Sequence, residues 1–425
     1  MTDTIFALSS GAPPAALAVI RISGSAAGLA LRRLTRSLPE PRRASLRRLQ
    51  SRGGDLLDEV LVLWFPGPAT ATGEDLAELH CHGGRAVIAA VEAELESMPE
   101  LRRATAGEFT RRAFANGRID LAAAEGLADL LSAETEWQRA NALALSAGQL
   151  SRKVEMWREQ VLRLAASVEA LLDFGDEDDV GDGGDIDRGS LATLIAELED
   201  WLSAPHAEGL REGLRVVIAG PPNSGKSTLF NALVEEDAAI TSDRAGTTRD
   251  VLQRPVAILG AAFQFLDTAG LREAGSDEIE AIGMERARAE LQRADLVLWL
   301  GPEGAGPEGA WEIEAMLDRD CRAGKFAPSH RVSAVTGEGL DQLRKDLVAA
   351  ARLRVPRRGL IALNARQRGL IGDVARALRL SAVEADLLLV AEGLRAARSA
   401  LDALVGRTTT EDMLDALFGR FCIGK

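Results

Sequence analysis

Tyrosine is absent from the 425 residues, aromatic side chains make up 4% of them, and only four histidines and three cysteines are present. Cys81, Cys321 and Cys422 are far apart, odd in number and form no C-x-x-C pair. That usage argues for free thiols in a reducing compartment and against a zinc site. His80-Cys81-His82 offers adjacent ligand types, but neighbours in sequence do not converge on one ion unaided. No apolar run is long enough to cross a bilayer. The uncharged stretch 4–20 has no basic residue before it and contains Pro13-Pro14, unlike a signal peptide. The expectation is a soluble, cytoplasmic protein without membrane contact. A net charge of −14 excludes a general nucleic-acid coat, so any nucleic-acid contact must be local and shaped. The pairs Arg42-Arg43, Arg47-Arg48, Arg102-Arg103, Arg111-Arg112 and Arg357-Arg358 read as solvated faces.

What is present is globular chemistry, 46% hydrophobic and 27% charged, on a chain long enough for roughly two to three domains. Up to about Asn116 the texture is mixed. Strand-like runs at Ala18–Ile22, Val60–Phe65 and Leu76–His80 alternate with turn signals, and Ala86–Ser97 reads as a helix. From Leu121 to Leu172 the chain is helical. Leu150, Val154, Trp157, Val161, Leu164, Val168 and Leu171 fall on one stripe of a helix. Asp173–Gly189, with eight acidic residues and five glycines, reads as a loop. From Leu214 to about Leu353 strands and helices alternate: strands at Leu214–Ala219, Asp295–Leu300 and His330–Ala334, a hairpin of Val256–Leu259 and Ala262–Leu266 about Gly260, and a short helix near Trp311–Leu317. Helices then return over Gln367–Val390 and Ala391–Leu404. The class is multidomain, α+β and α/β, with the α/β unit inserted between two halves of a helical domain.

Gly220-Pro-Pro-Asn-Ser-Gly-Lys-Ser-Thr228 matches G-x-x-x-x-G-K-[ST], follows a strand and opens the helical run Thr228–Leu233, as a phosphate-binding loop requires. Its glycines turn backbone N–H groups toward phosphates, and the helix N-terminus adds positive potential. Lys226, one of only five lysines, neutralises the outer phosphates, and the Ser227 hydroxyl ligates Mg²⁺. Asp267-Thr268-Ala269-Gly270 follows the second hairpin strand, where the carboxylate reaches the magnesium's water shell and the Gly270 N–H senses a γ-phosphate. Gly246-Thr247-Thr248-Arg249-Asp250 lies where a switch loop offers a threonine, Thr248, to Mg²⁺. This order identifies a GTPase-like switch domain rather than a generic ATPase. Leu271 follows Gly270, so the glutamine that orients water in the Ras-type scheme is missing.

The chain resembles the tRNA modification GTPase MnmE (TrmE) family along nearly its whole length. The resemblance rests on Leu17–Gly24 (LAVIRISG), Gly73–Gly84 (GEDLAELHCHGG), Ala106–Leu121 (AGEFTRRAFANGRIDL), Gly283–Ala287 (GMERA) and the terminal Phe421-Cys-Ile-Gly-Lys425. It implies a folate-binding-like, dimerising N-terminal α+β domain over 1–117 and a helical domain in two halves, 118–210 and 355–425. A Ras-like G domain over 211–354 lies between those halves. It further implies a homodimer that acts with a flavoprotein, MnmG (GidA), on the wobble uridine of tRNA. The one-carbon unit comes from 5-formyl- or methylene-tetrahydrofolate, and hydrolysis is stimulated by K⁺ and G-domain pairing. By residue, the resemblance implies nucleotide contacts from Asn223, Ser224, Gly225, Lys226, Ser227, Thr228, Asp267, Thr268, Ala269 and Gly270. Asn223, Ser242, Arg244 and Thr247 would surround the potassium ion, which takes the charge-stabilising part of an arginine finger. Glu280 matches the catalytic glutamate, with Glu278 as the alternative. Arg21, Glu78 and Arg118 match folate contacts, Arg118 standing for the usual lysine. Cys422 matches the terminal cysteine, whose thiolate Lys425 would activate; a small apolar packing role is the other reading.

One departure concerns the base. GTPases of this class read guanine with N-K-x-D, yet no asparagine occurs between Asn231 and Asn364. Ser333-Ala334 still matches the element whose backbone N–H meets the base oxygen. Asp318 and Asp320 are carboxylates in the right region, and no spacing selects either. The alternatives are therefore a relative with relaxed nucleotide choice, or a ribosome-assembly GTPase that binds rRNA.

Overall fold

The computed structural model describes residues 3–174, 187–204, 207–234, 253–267, 291–319, 324–353, 361–408 and 410–425. The chain forms two compact units: Met1–Ala128 with Leu145–Arg158 and Leu401–Lys425, and Asp129–Ala144 with Glu159–Ala400.

The first unit is organised on strands β1 (Thr4–Leu8), β2 (Leu17–Ser23), β3 (Ser45–Gln50), β4 (Leu56–Phe65), β5 (Leu76–His82) and β6 (Leu101–Arg103), in the order β3-β4-β5-β2-β1-β6. Only β1 and β6 pair in parallel. Alternate residues Ile20, Ile22, Val60, Val62, Leu79 and Cys81 face the core. They pack on Ala27, Ala30, Leu31 and Leu34 of α1 (Ala27–Thr35) and on Val91 and Leu95 of α2 (Arg85–Glu96). The strand-like runs of the sequence thus form a sheet with one face covered by α1 and α2, while Ile5 and Ala7 are buried on Ala104 and Phe109. Beside it, α3 (Glu108–Ala115) carries Arg112, whose side chain is fully buried and donates to the Asp3 backbone carbonyl and the Asp3, Glu74 and Glu108 carboxylates.

The helices follow as α4 (Leu121–Ser132), α5 (Glu136–Ser146), α6 (Gln149–Phe174), α7 (Arg188–Ser203) and α8 (Ala207–Glu212). Leu150, Val154, Trp157, Val161, Leu164 and Val168 are all buried along α6, as their spacing requires. The acidic segment expected to be a loop is entered by helix at both ends. α6 runs to Phe174, and α7 starts at Arg188, where Asp187 caps it by accepting from the Ser190 N–H at 2.8 Å.

The α/β sheet runs β12-β11-β10-β7-β9-β8. Its elements in chain order are β7 (Leu214–Ala219), α9 (Lys226–Val234), β8 (Gln253–Ile258), β9 (Ala261–Asp267), β10 (Leu296–Trp299), β11 (Trp311–Glu314), β12 (His330–Arg331) and α10 (Leu340–Arg352). All neighbours are parallel except the β8–β9 hairpin. Leu259 and Gly260 turn that hairpin with φ of 47° and 84°, the left-handed pair that suits the twist of two antiparallel strands.

Trp311–Leu317, expected to be a short helix, instead begins as strand β11. Trp311-Glu312-Ile313-Glu314 alternates with period two. Ile313 joins the core, while Glu312 meets Lys325 at 2.5 Å and Glu314 meets Arg331 at 2.9 Å. Of the expected strand His330–Ala334, only His330–Arg331 pairs, because Ser333 is taken up in a turn with Thr336 and Glu338. Beyond the sheet come α11 (Ala365–Val383), α12 (Leu387–Leu404) and α13 (Glu411–Phe418). The α11–α12 break falls at 384–386, not at Val390. The Glu384 carboxylate accepts from the Ala385 and Asp386 N–H groups, and Asp386 accepts from the Leu388 N–H. Among the described residues, no helix is long and apolar enough to cross a membrane.

Candidate nucleotide site and N-terminal polar site

β7 is an almost wholly buried strand, and Gly220 ends it with φ of 154°. The loop that follows holds Asn223 and Gly225 at φ of 60° and 89°. Left-handed turns of this kind direct successive N–H groups inward, which makes an anion-binding concavity. α9 then starts at Lys226, and the N-terminus of a helix carries positive potential that suits an anion. Lys226 is buried at 6% exposure and donates from Nζ to the Pro221 carbonyl at 2.7 Å. Ser224 Oγ is buried and has no hydrogen-bond partner among the described residues. A phosphate fits this donor set: a buried ammonium that meets the Pro221 carbonyl, a hydroxyl without a partner among the described residues and a helix N-terminus. Ser227 and Thr228 follow in the first turn of α9, and β9 delivers Asp267 beside Ile218 of β7.

The C-terminal ends of β11 and β12 add the second half. Ser333 is fully buried, its Oγ lies 2.7 Å from Asp318 Oδ1, and it accepts from the Thr336 N–H at 3.1 Å. Ala334 is half-buried next to it. Of the two carboxylates that the sequence leaves level, Asp318 accepts from the Ser333 hydroxyl, and Asp320 lies outside the described residues. The signal available in the sequence was the W-E-I-E alternation, which ends four residues before Asp318. Met316 also lies here, at φ of 60°, with its Cε 3.0 Å from the position a Cβ on Gly225 would take. Of the remaining expected residues, Ser242, Arg244, Thr247, Thr248, Thr268, Ala269, Gly270, Glu280 and Glu278 lie outside the described residues.

On the N-terminal sheet, Arg21 of β2 pairs in register with Glu78 of β5. The Arg21 Nε and a terminal nitrogen donate to Glu78 Oε1 at 3.1 and 2.8 Å, and His80 Nε2 stands 3.4 Å from Oε2. Below, the Arg21 guanidinium lies 5.9 Å from the Phe109 ring centroid on α3, a cation–π contact between residues far apart in sequence. Arg118 is exposed beside Gly73, and among the described residues no hydrogen bond or ion pair joins it to Arg21 or Glu78. The terminal pentapeptide is pinned to this unit. Ser9 Oγ donates to the Gly424 carbonyl at 2.9 Å, Ile423 bridges Ala106, and Phe421 packs with Phe418 and Leu121. Cys422 is exposed, and its carbonyl receives the Gly107 N–H at 3.5 Å and the Lys425 N–H at 3.2 Å. Gly107 is the residue before α3, so the pentapeptide and the Arg21–Glu78 pair share that helix end.

The fold and loop define a P-loop nucleotide-binding α/β domain whose chain is flanked on both sides by helices, with a separate N-terminal α+β sheet. Residues 4–118 match the family model "GTP-binding protein TrmE N-terminus", and residues 121–422 match "MnmE helical domain". The chain is 62% identical to the tRNA modification GTPase MnmE of Erythrobacter litoralis and 61% identical to that of Novosphingobium aromaticivorans. Both alignments cover 100% of each chain. Among solved structures it is similar to the G domain of the T. maritima FeoB iron transporter, at 25% identity and a TM-score of 0.23, over 32% of this chain and 98% of that one. The chain belongs to the MnmE family of tRNA modification GTPases.

Proposed function

We propose that the chain is the GTP-hydrolysing subunit of a cytoplasmic complex that modifies the wobble uridine of tRNA. It works there as a homodimer with the flavoprotein MnmG and a tetrahydrofolate one-carbon donor, adding a carboxymethylaminomethyl- or aminomethyl-type group at carbon 5. The observation that carries the reading is the phosphate loop, with Asn223 and Gly225 in left-handed backbone, Lys226 buried at the start of α9 and the buried Ser224 hydroxyl without a partner among the described residues. In hydrolysis the loop N–H groups and Lys226 hold the phosphates, and Ser227, Thr248 and Asp267 are the residues that would hold Mg²⁺. Asn223, Ser242, Arg244 and Thr247 would hold K⁺, which adds positive charge where negative charge develops. Glu280 orients the attacking water.

Asp318 reads the base. Guanine presents two adjacent donors, N1–H and the 2-amino group, to one carboxylate, whereas adenine turns a lone pair toward it. At the N-terminal site a carboxylate such as Glu78 suits the amino edge of a pterin, and Arg21 and Arg118 suit the carboxylates of its tail. Cys422, on the neighbouring helix end, supplies a thiol.

The base assignment is tested with Asp318→Asn in the full chain. Turnover of GTP should fall and that of XTP should rise, because the amide now donates to the 2-oxo group of xanthine. A variant that loses both nucleotides in equal measure would remove Asp318 from the base. Wild-type hydrolysis should be several-fold faster in potassium than in sodium buffer, and equal rates would remove Asn223 and Thr247 from a potassium site.

A further inference from the structure

After β11 the chain turns at Met316, and the Arg319 N–H closes the turn on the Met316 carbonyl at 3.1 Å. Its φ of 60° is a conformation that side chains other than those of Asn and Asp adopt at a cost, and such outliers persist where the surrounding structure fixes them. Two contacts fix this one. Two residues on, Asp318 is held by Ser333. At the other side, Met316 Cε and Cγ lie 3.0 and 3.5 Å from the place of a Cβ on Gly225, so the thioether rests on the bare backbone of the phosphate loop. Gly225 itself has φ of 89°, so neither its backbone nor the space above it accepts a side chain.

A nucleotide with its phosphates on the loop and its base edge at Asp318 must run between these two points, which Met316 links. The thioether is unbranched, polarizable and suited to aromatic faces, which all purines share whatever their edge carries. We propose that Met316 is the positioning residue for the nucleotide base. Its thioether, seated on Gly225, supports the face of the purine ring and sets affinity for purine nucleotides without choosing among them. This rests on the reading of Asp318 as the group that meets the base edge.

The test measures GDP, IDP and XDP binding to the full chain by calorimetry for wild type, Met316→Ala, Met316→Leu and Asp318→Asn. IDP lacks the 2-amino group, so the GDP-to-IDP ratio reports the edge alone. Met316→Ala should weaken GDP and IDP by the same factor, about threefold to tenfold, with the ratio unchanged. Met316→Leu, which keeps an apolar chain on Gly225, should recover most of the loss. Unchanged affinities in Met316→Ala, or a changed ratio, overturn the proposal. A fall in Met316→Ala that leucine does not reduce at all also overturns it, because packing on the loop would then be irrelevant. Asp318→Asn judges the edge separately: if it fails to move preference from GDP toward XDP, the base-edge reading falls, while the Met316 ratio test keeps its own outcome.

Discussion

At the phosphate loop a buried hydroxyl, Ser224 Oγ, has no partner among the described residues, and Asn223, Gly225 and Met316 hold left-handed backbone. On the N-terminal sheet the charges of Arg21 and Glu78 are already joined by two hydrogen bonds, and His80 stands at the second carboxylate oxygen. At the first site the loop backbone, the buried Lys226 and the buried Ser224 hydroxyl are already set in place, so phosphate binding should require little reordering. The second is self-neutralised, and a ligand there must exchange its own hydrogen bonds for an existing ion pair. Substitutions at the loop should therefore remove function, while substitutions in the Arg21–Glu78 pair should tune it.

The largest expected effect follows from Lys226→Ala, which should lower GTP turnover by about a hundredfold or more and leave folate binding to the N-terminal unit unchanged. A loss of both would mean that the two sites do not act independently. Next, Glu78→Gln should weaken 5-formyltetrahydrofolate about tenfold in equilibrium dialysis, with GDP affinity unaltered. If folate binding instead tightens, the ion pair competes with the ligand more than it helps it.

An acid-side pH effect is expected in the first unit. Burial pushes the Glu108 carboxyl up, but hydrogen bonds from Arg102, the Thr105 N–H and Arg112 outweigh it and hold the group at about 2. A depressed native value stabilises fully above the ordinary value of 4.5 and loses that contribution as the pH falls toward about 2. Acid titration followed by circular dichroism should show stability falling through that window, and Glu108→Gln should be less stable at neutral pH with a shallower fall. The smallest effect is expected from Lys325→Ala, which opens one ion pair on β11, next to the edge strand β12, and should lower the thermal midpoint by only a few degrees.

Legibility in the sequence follows the same physical divide. The phosphate loop was readable because backbone-directed binding demands glycine and lysine at fixed spacing, and the α6 stripe because Leu150 to Val168 repeat with the helix period. β11 was misread because four residues of alternating Trp, Glu, Ile and Glu carry too short a pattern to separate strand from helix. The hydrogen bond from Ser333 to Asp318 spans fifteen residues of sequence and leaves no spacing signal either. Arg112, drawn in the sequence as half of a solvated basic pair, is fully buried among Asp3, Glu74 and Glu108, partners that come from 4 to 109 residues away. Contacts at such range leave no local mark.

The most direct measurement is turnover of GTP, ATP and XTP by the full-length protein in potassium buffer with magnesium. A clear preference for GTP is expected if Asp318, held by Ser333, meets the two donors of guanine as proposed. Equal turnover of all three would contradict that account, and the phosphate loop would then stand without a base reader.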